Sequence, residues 1–262
     1  MLKFNKDSVV GTFTVILGFC LVCSVLVSSA VVALDPFKAA AVANDRQVSI
    51  LRVSGYEVQG TVAQTYEAHI QAQLLDTETG KLVPEMQAEA DGYNFVSQAK
   101  NPQANVVIPS EEDIAGIRMH SKLMPVYFAH DEEGNVSRVI LPFYGAALWS
   151  TAYGYVAVAT DGNTIKGVTF YQHGETPGLG GEIDNPRWQA LWVDKKIENP
   201  EGQLAFNILK GADHEGDGKD YEVDALSGAT LTTNGIRHAA QYWLGTVYKP
   251  FLDQLRKGEI LK

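Results

Sequence analysis

Residues 8–34 are a run of 27 uncharged, mostly apolar residues, and nothing else in the chain restricts its fold as strongly. As a helix the run is about 40 Å long, enough to cross a hydrocarbon core of about 30 Å with some tilt. The apolar part of a cleaved signal is shorter, about 7–15 residues, so the run reads as a retained anchor, residues 1–34, in contact with lipid. Lys3, Lys6 and Asp7 precede it; Asp35 and Lys38 follow. A short basic end stays in the cytoplasm, which sends residues 35–262 to the other side. Cys20 and Cys23 have the spacing of a redox pair but lie inside the run. Surrounded by lipid, they read as small apolar residues on one helix face.

The remainder has the composition of a packed globule. The chain is 45% apolar and 20% charged, which excludes a disordered protein. Its 31 acidic residues outnumber 21 basic ones, and a net charge of −10 excludes nucleic acid as the partner. Two cysteines cannot build a disulfide scaffold.

Apolar residues at helical spacing continue past Pro36 and stop at Gly55. Residues 61–90 mix helix and strand signals, with turns at Thr79-Gly80 and Pro84. Short β-type runs follow at 139–141, 152–158 and 165–171, the last two joined by the turn Asp161-Gly162-Asn163. A helix is expected over 186–193, carrying Trp188 and Trp192, and a strand over 204–209. Ile236, Ala239, Ala240, Trp243, Leu244, Val247, Phe251 and Leu255 mark one long amphipathic helix that Pro250 should bend or break. Thr232, Thr233 and Asn234 are its N-cap candidates. The fold class is α+β: an antiparallel sheet with flanking helices, in one unit or in two lobes, 35–135 and 136–262.

Two loops carry chemistry. Asp224-Ala-Leu-Ser-Gly-Ala-Thr-Leu-Thr-Thr233 places four hydroxyls and a glycine just before the last helix. Free N–H groups and a partial positive charge at a helix start suit a phosphate, although a well-capped helix looks the same. His173-Gly-Glu-Thr-Pro-Gly-Leu-Gly-Gly-Glu182 is rich enough in glycine to wrap a flat or phosphorylated ligand, or to be a long surface turn. It is neither a Rossmann nor a Walker loop, lacking their spacing.

Together, Ser227-Gly228-Ala229-Thr230 and His173-Gly-Glu-Thr-Pro-Gly-Leu-Gly180 resemble the FMN-binding domain of membrane respiratory complexes. Leu141-Pro-Phe-Tyr-Gly145, Leu148-Trp149-Ser150, Tyr242-Trp-Leu-Gly245 and the single N-terminal span extend the match to most of the chain. They are similar to the NqrC family, the flavin-bearing members of the Na+-translocating NADH:quinone reductases.

The resemblance implies FMN joined through its phosphate to Thr230, within the motif that also holds Gly228, Ala229 and Leu231. Thr hydroxyls are poor nucleophiles, and no His or Cys adjoins Thr230 in sequence. Attachment by a separate flavin transferase, with FAD as donor, is therefore implied. Ser227, Thr232 and Thr233 would hydrogen-bond the phosphodiester. Glu175, Thr176, Gly178, Leu179 and Gly180 would flank the flavin ring through backbone groups. Leu148 and Trp149 would pack on the ring, and Lys210 would meet a phosphate or ring oxygen. Ala147 stands where the family commonly has Gly, so a methyl would crowd the flavin edge.

The implied role is that of an electron relay in a bacterial inner membrane, between other subunits of a complex that oxidises NADH and reduces ubiquinone. The main domain would be periplasmic, and this chain would not oxidise NADH by itself. The alternatives are the equivalent subunit of an Rnf-type complex, a noncovalent flavin reductase, and a membrane-tethered scaffold without cofactor. Asp213-His-Glu-Gly-Asp-Gly218, with Asp224 at the twelfth place, echoes a Ca2+ loop but reads better as an acidic turn. His173 is either a group near the ring or a surface residue. The six histidines do not cluster at metal spacing.

Overall fold

The computed structural model describes residues 8–261. Lys3, Lys6 and Asp7, on which the orientation expectation rests, lie outside them. The chain divides between Asp45 and Arg46. Helix α1 (Val9–Ser54) begins in the first unit with Val9–Asp35, which is long and apolar enough to cross a membrane, and ends in the second. The span's valines, leucines and phenylalanines are exposed, as lipid-facing residues would be. Cys20 and Cys23 are free thiols on this span. The helix does not stop at Leu34 but runs on to Ser54. There Gly55 turns the chain at φ +80°, while Gly55 and Tyr56 donate to the carbonyls of Arg52 and Leu51.

The second unit is built on one sheet. After α2 (Val62–His69) come β1 (Ile70–Asp76), β2 (Lys81–Leu82), the short helices α3 (Gln87–Ala90) and α4 (Phe95–Gln98), and a small ribbon of β3 (Asn105–Val107) and β4 (Met119–Ser121). Then follow β5 (Leu123–His130), β6 (Val136–Ala146), β7 (Thr151–Ala159), β8 (Ile165–Gln172) and α5 (Pro186–Ala190). The chain closes with β9 (Asn207–Leu209), β10 (Glu222–Asp224), α6 (Thr230–Tyr242), a π-helical turn Trp243–Val247 and α7 (Lys249–Arg256). The sheet order is β2-β1-β5-β6-β7-β8, antiparallel throughout.

Both faces of the sheet are buried, which is why its strands read as continuous apolar runs. Met124, Val126, Phe128, Val139, Leu141, Phe143, Val156 and Val158 point to one face, in a core shared with Ile236, Ala240, Trp243 and Phe251. Their neighbours Tyr127, Ala129, Ile140, Tyr155 and Ala157 point to the other, against Ile50, Leu51, Val53 and Tyr66.

Three expectations are corrected and one is met. The two-lobe boundary at 135/136 falls between β5 and β6, which are paired neighbours in one sheet. The C-terminal helix is broken ahead of Pro250, as expected: the π-helical turn ends at Val247, and Pro250 stands in the first turn of α7, where its missing N–H costs nothing. Helix α5 ends at Ala190, so Trp188 and Trp192 do not share a helix; both are core residues, edge to face at 5.7 Å. Of residues 204–209, only Asn207–Leu209 forms a ladder; Leu204 makes an isolated bridge with Glu198.

Helix α6 lies unusually close to β6. A Cβ on Gly145 would stand 2.6 Å from Ala239 Cβ, and one on Gly235 would overlap the Ala146 carbonyl oxygen. Two buried rings fix the segment beyond it: Trp243 Nε1 donates to Tyr144 O and Tyr248 Oη to Pro142 O, both at 2.7 Å. The start of α6 is therefore held against the sheet by backbone-to-backbone packing.

Candidate functional site

Strands β9 and β10 run parallel, and β10 leads through residues 225–229 into the N-terminus of α6. A cavity of about 420 Å³ opens beyond the carboxyl ends of these strands, where ligands of α/β units characteristically bind. Lys210, Ser227, Gly228, Thr230 and Arg237 line it. Gly228 takes φ +76° to turn the chain into the helix.

The helix starts earlier than expected. Thr230 is its first residue and Ala229 its N-cap, with no side-chain cap. Thr232 and Thr233 thus lie in the first turn, both buried, and are not caps. Their hydroxyls are engaged within the protein. Thr232 Oγ1 donates to Glu175 Oε2 at 2.5 Å, and Thr233 Oγ1 accepts from Leu226 N at 3.2 Å. Thr232 gives its hydroxyl proton to Glu175 and does not line the cavity; Thr233 lines it and keeps its hydroxyl proton to donate. Thr230 is exposed, as is Ser227.

Glu175 joins the two motif loops. Only 5% exposed, it accepts from Trp149 N through Oε1 at 2.9 Å and from Thr232 through Oε2. It thereby ties 148–150, the glycine-rich loop and α6 to one carboxylate. A Cβ on Gly180 would stand 2.5 Å from Thr232 Oγ1 and 2.7 Å from Glu175 Oε2, so only glycine admits this close approach. His173 is held too: Nδ1 accepts from Glu175 N at 3.1 Å, which leaves Nε2 to donate to Asp184 at 2.7 Å. Gly174 N donates to Ser150 Oγ at 2.7 Å.

The apolar members of the motifs stay outside the core. Trp149 is 70% exposed; Leu148, Leu179 and Leu231 are exposed as well. Leu179 reaches Gly228, 3.6 Å from where a Cβ would stand. Thr176 and Gly178 are exposed turn residues, with Thr176 O accepting from Leu179 N and Gly181 N. The structure thus brings Lys210, Ser227, Gly228, Thr230 and Thr233 to one cavity, and Trp149, Glu175, Gly180 and Thr232 to the adjoining network. Sequence reasoning missed Arg237. The available signal was its place seven residues after Thr230, on the same face of a helix.

The acidic loop closes on itself. Asp213 accepts from the backbone N–H groups of Gly216, Gly218 and Glu215, which hold its carboxyl below the usual range. Asp224 accepts from Ala212 N and contacts His214 Nε2 at 2.7 Å. Among the described residues, no three acidic, His or Cys side chains are grouped to hold a metal.

A family model described as FMN-binding domain matches residues 148–245, which contain both motif loops and α6. The chain is 44% identical to the NqrC protein of the Na(+)-translocating NADH-quinone reductase of Haemophilus ducreyi over 258 residues, 98% of each chain. It is 41% identical to the protein of the same name from Neisseria meningitidis serogroup B, again over 98% of both. Among solved structures it is similar to Shewanella oneidensis NqrC, with a TM-score of 0.76 and 33% identity over 83% of this chain and 99% of that one.

Proposed function

The chain belongs to the NqrC family of the Na+-translocating NADH-quinone reductases, and from that premise we propose that its FMN is joined by a phosphoester to the hydroxyl of Thr230. It is an FMN-carrying, electron-relaying subunit of that oxidoreductase complex, a single-pass protein of the inner membrane whose partners include the other subunits. FMN, when bound, supplies the redox chemistry; the protein positions it.

One observation supports the linkage above the others. Of the three threonines in Thr230-Leu-Thr-Thr233, Thr230 and Thr233 line the cavity and only Thr230 is exposed; Thr233 is buried with its oxygen accepting from Leu226 N, and Thr232 is buried and donates to Glu175. The residues around it fit the cofactor. Lys210 and Arg237 supply positive charge, Ser227 a free hydroxyl, and the uncapped helix start its N–H groups. Leu148, Trp149, Leu179 and Leu231 offer apolar surface to the ring.

No imidazole or thiol lines the cavity, so Thr230 is not activated from within. A flavin transferase with FAD as donor completes the reading. The Thr230 oxygen bonds to the flavin-side phosphorus, the pyrophosphate bond breaks, AMP leaves, and the hydroxyl proton goes to a base on the transferase. On this reading the main domain lies in the periplasm and the apolar span Val9–Asp35 in lipid; the short basic end ahead of the span supports that orientation.

The test is in-gel flavin fluorescence of the denatured full chain, produced with its transferase, followed by peptide mass mapping. A fluorescent band with the FMN mass on the Thr230 peptide is expected. Thr230→Ala should lose the band while keeping the melting temperature. A flavin retained in that variant refutes the linkage.

A further inference from the structure

The cavity beside Thr230 holds a cation that neither flavin motif includes. Arg237 lies two turns along α6 from Thr230, about 10 Å along the axis, and lines the same cavity. Helical side chains lean toward the N-terminus of their own helix, which directs Arg237 back toward Thr230.

Its hydrogen bonding is incomplete. Arg237 Nε is buried and has no partner. Arg237 Nη2 lies 3.0 Å from His238 Nε2; a guanidinium always donates, so the imidazole accepts and is neutral. Burial and the adjacent guanidinium both lower the His238 pKa, which preserves that neutral form. Among the described residues, no carboxylate pairs with Arg237 or with Lys210. Asp224 also borders the cavity; it accepts from Ala212 N and contacts His214, and forms no ion pair with either cation. Two unpaired cations thus face one cavity, an arrangement that a bound anion would relieve. Of the expected phosphate ligands, Thr232 gives its proton to Glu175, and Thr233 and Ser227 are neutral, so charge pairing falls to the two cations.

We propose that Arg237, with Lys210, is the ion-pairing partner of the FMN phosphate, oriented for that role by neutral His238. The proposal rests on the Thr230 linkage only in that the linkage brings the phosphate to this cavity. Arg237 acts by holding charge and fixing the ester's position, not by reacting.

The test uses the full chain in detergent, made without the transferase, and titrates FMN and riboflavin by fluorescence quenching. Riboflavin is FMN without the phosphate. The unsubstituted chain should bind FMN at least about tenfold more tightly than riboflavin, with a preference that shrinks as salt rises. Arg237→Gln should lower that ratio about tenfold and leave riboflavin binding unchanged; Arg237→Lys should restore part of it. A purely structural role would weaken both ligands alike. An unchanged ratio in Arg237→Gln overturns the proposal. So does the absence of any FMN preference in the unsubstituted chain, including binding of neither ligand. Failure of the linkage reading is distinguishable: flavin mapped to another residue refutes Thr230 and leaves this ratio to judge Arg237.

Discussion

Gly235→Ala should destabilise this domain, although alanine is the better helix former. In an unhindered helix interior the exchange stabilises by about 1 kcal/mol. Here the new methyl overlaps the Ala146 carbonyl oxygen and stands 2.9 Å from Ala147 Cα and 3.1 Å from Ala146 C. All three are backbone atoms of β6 or of the residue after it, so no rotamer change relieves them. Helix and strand must separate by about 1 Å, at an overpacking cost near the top of the usual range, about 3 kcal/mol. Trp243 and Tyr248, bonded to β6 carbonyls further along, oppose that separation. The net loss is about 2 kcal/mol, which for a domain of this size lowers Tm by about 4–8 °C. Gly245→Ala is the control. There the new Cβ meets Leu204 Cδ2 at 2.6 Å, the tip of a partly exposed side chain that can turn away, and the cost should stay within about 1 kcal/mol. Thermal denaturation of the full chain in detergent, followed by circular dichroism, measures both. A Tm for Gly235→Ala equal to or above the parent's would refute the claim that backbone contact fixes α6.

Glu175→Ala leaves the N–H of Trp149 and the buried hydroxyl of Thr232 without their acceptor, and should cost about 2–3 kcal/mol by the same assay. Glu175→Gln keeps one acceptor oxygen and should cost about half as much; equal losses would show that the bonds contribute nothing. His120 is buried against Tyr242 and Trp243, and burial lowers its pKa below the ordinary 6.5. As pH falls below about 6.5, the unfolded chain takes up a proton that folded His120 refuses, so Tm should decline from pH 7 to pH 5. His238, also lowered, acts in the same direction, and His120→Gln should flatten the decline without abolishing it; an unchanged slope counts against this account.

Local signals survive the step from sequence to structure, and non-local ones do not. Gly55 ends a helix, and Asp161-Gly162-Asn163 turns a hairpin, because each needs only neighbours a few residues away. The change to β-type runs near Val136 suggests a lobe boundary, just after Asp131-Glu-Glu-Gly-Asn135. Asp131 instead caps a hairpin loop, accepting from Glu133 N and Asn135 N, while β5 and β6 pair on either side. The start of α6 is hard to place from sequence because Thr232 and Thr233 look like caps; their actual partners are Glu175, 57 residues away, and Leu226 N. The same distance in sequence hides Glu175's role. A glutamate inside a glycine-rich loop gives no sign that its carboxylate joins three segments.

The openness of the site gives the proposed covalent bond a physical purpose. A site that holds a small molecule by contacts alone usually encloses 70–90% of its surface, within apolar walls. Here the cavity wall mixes polar and apolar surface, and the remaining apolar motif residues are left in the open, with Trp149 70% exposed and Leu179 and Leu231 exposed as well. Such an arrangement leaves one face of a ring open to another protein of the complex, which an electron relay requires and a tight noncovalent site forbids. A phosphoester at Thr230 removes the conflict, because tethering replaces affinity with a high local concentration. The protein then has only to orient the group. The glycine contacts between α6 and β6 and the Glu175 network hold the start of α6, and so Thr230, for that task. It follows that Thr230→Ala should lose flavin on dialysis while keeping the shape of its site, and that millimolar FMN should restore part of its flavin absorbance. A variant that held FMN through dialysis would show that the contacts suffice and that the bond serves some other end.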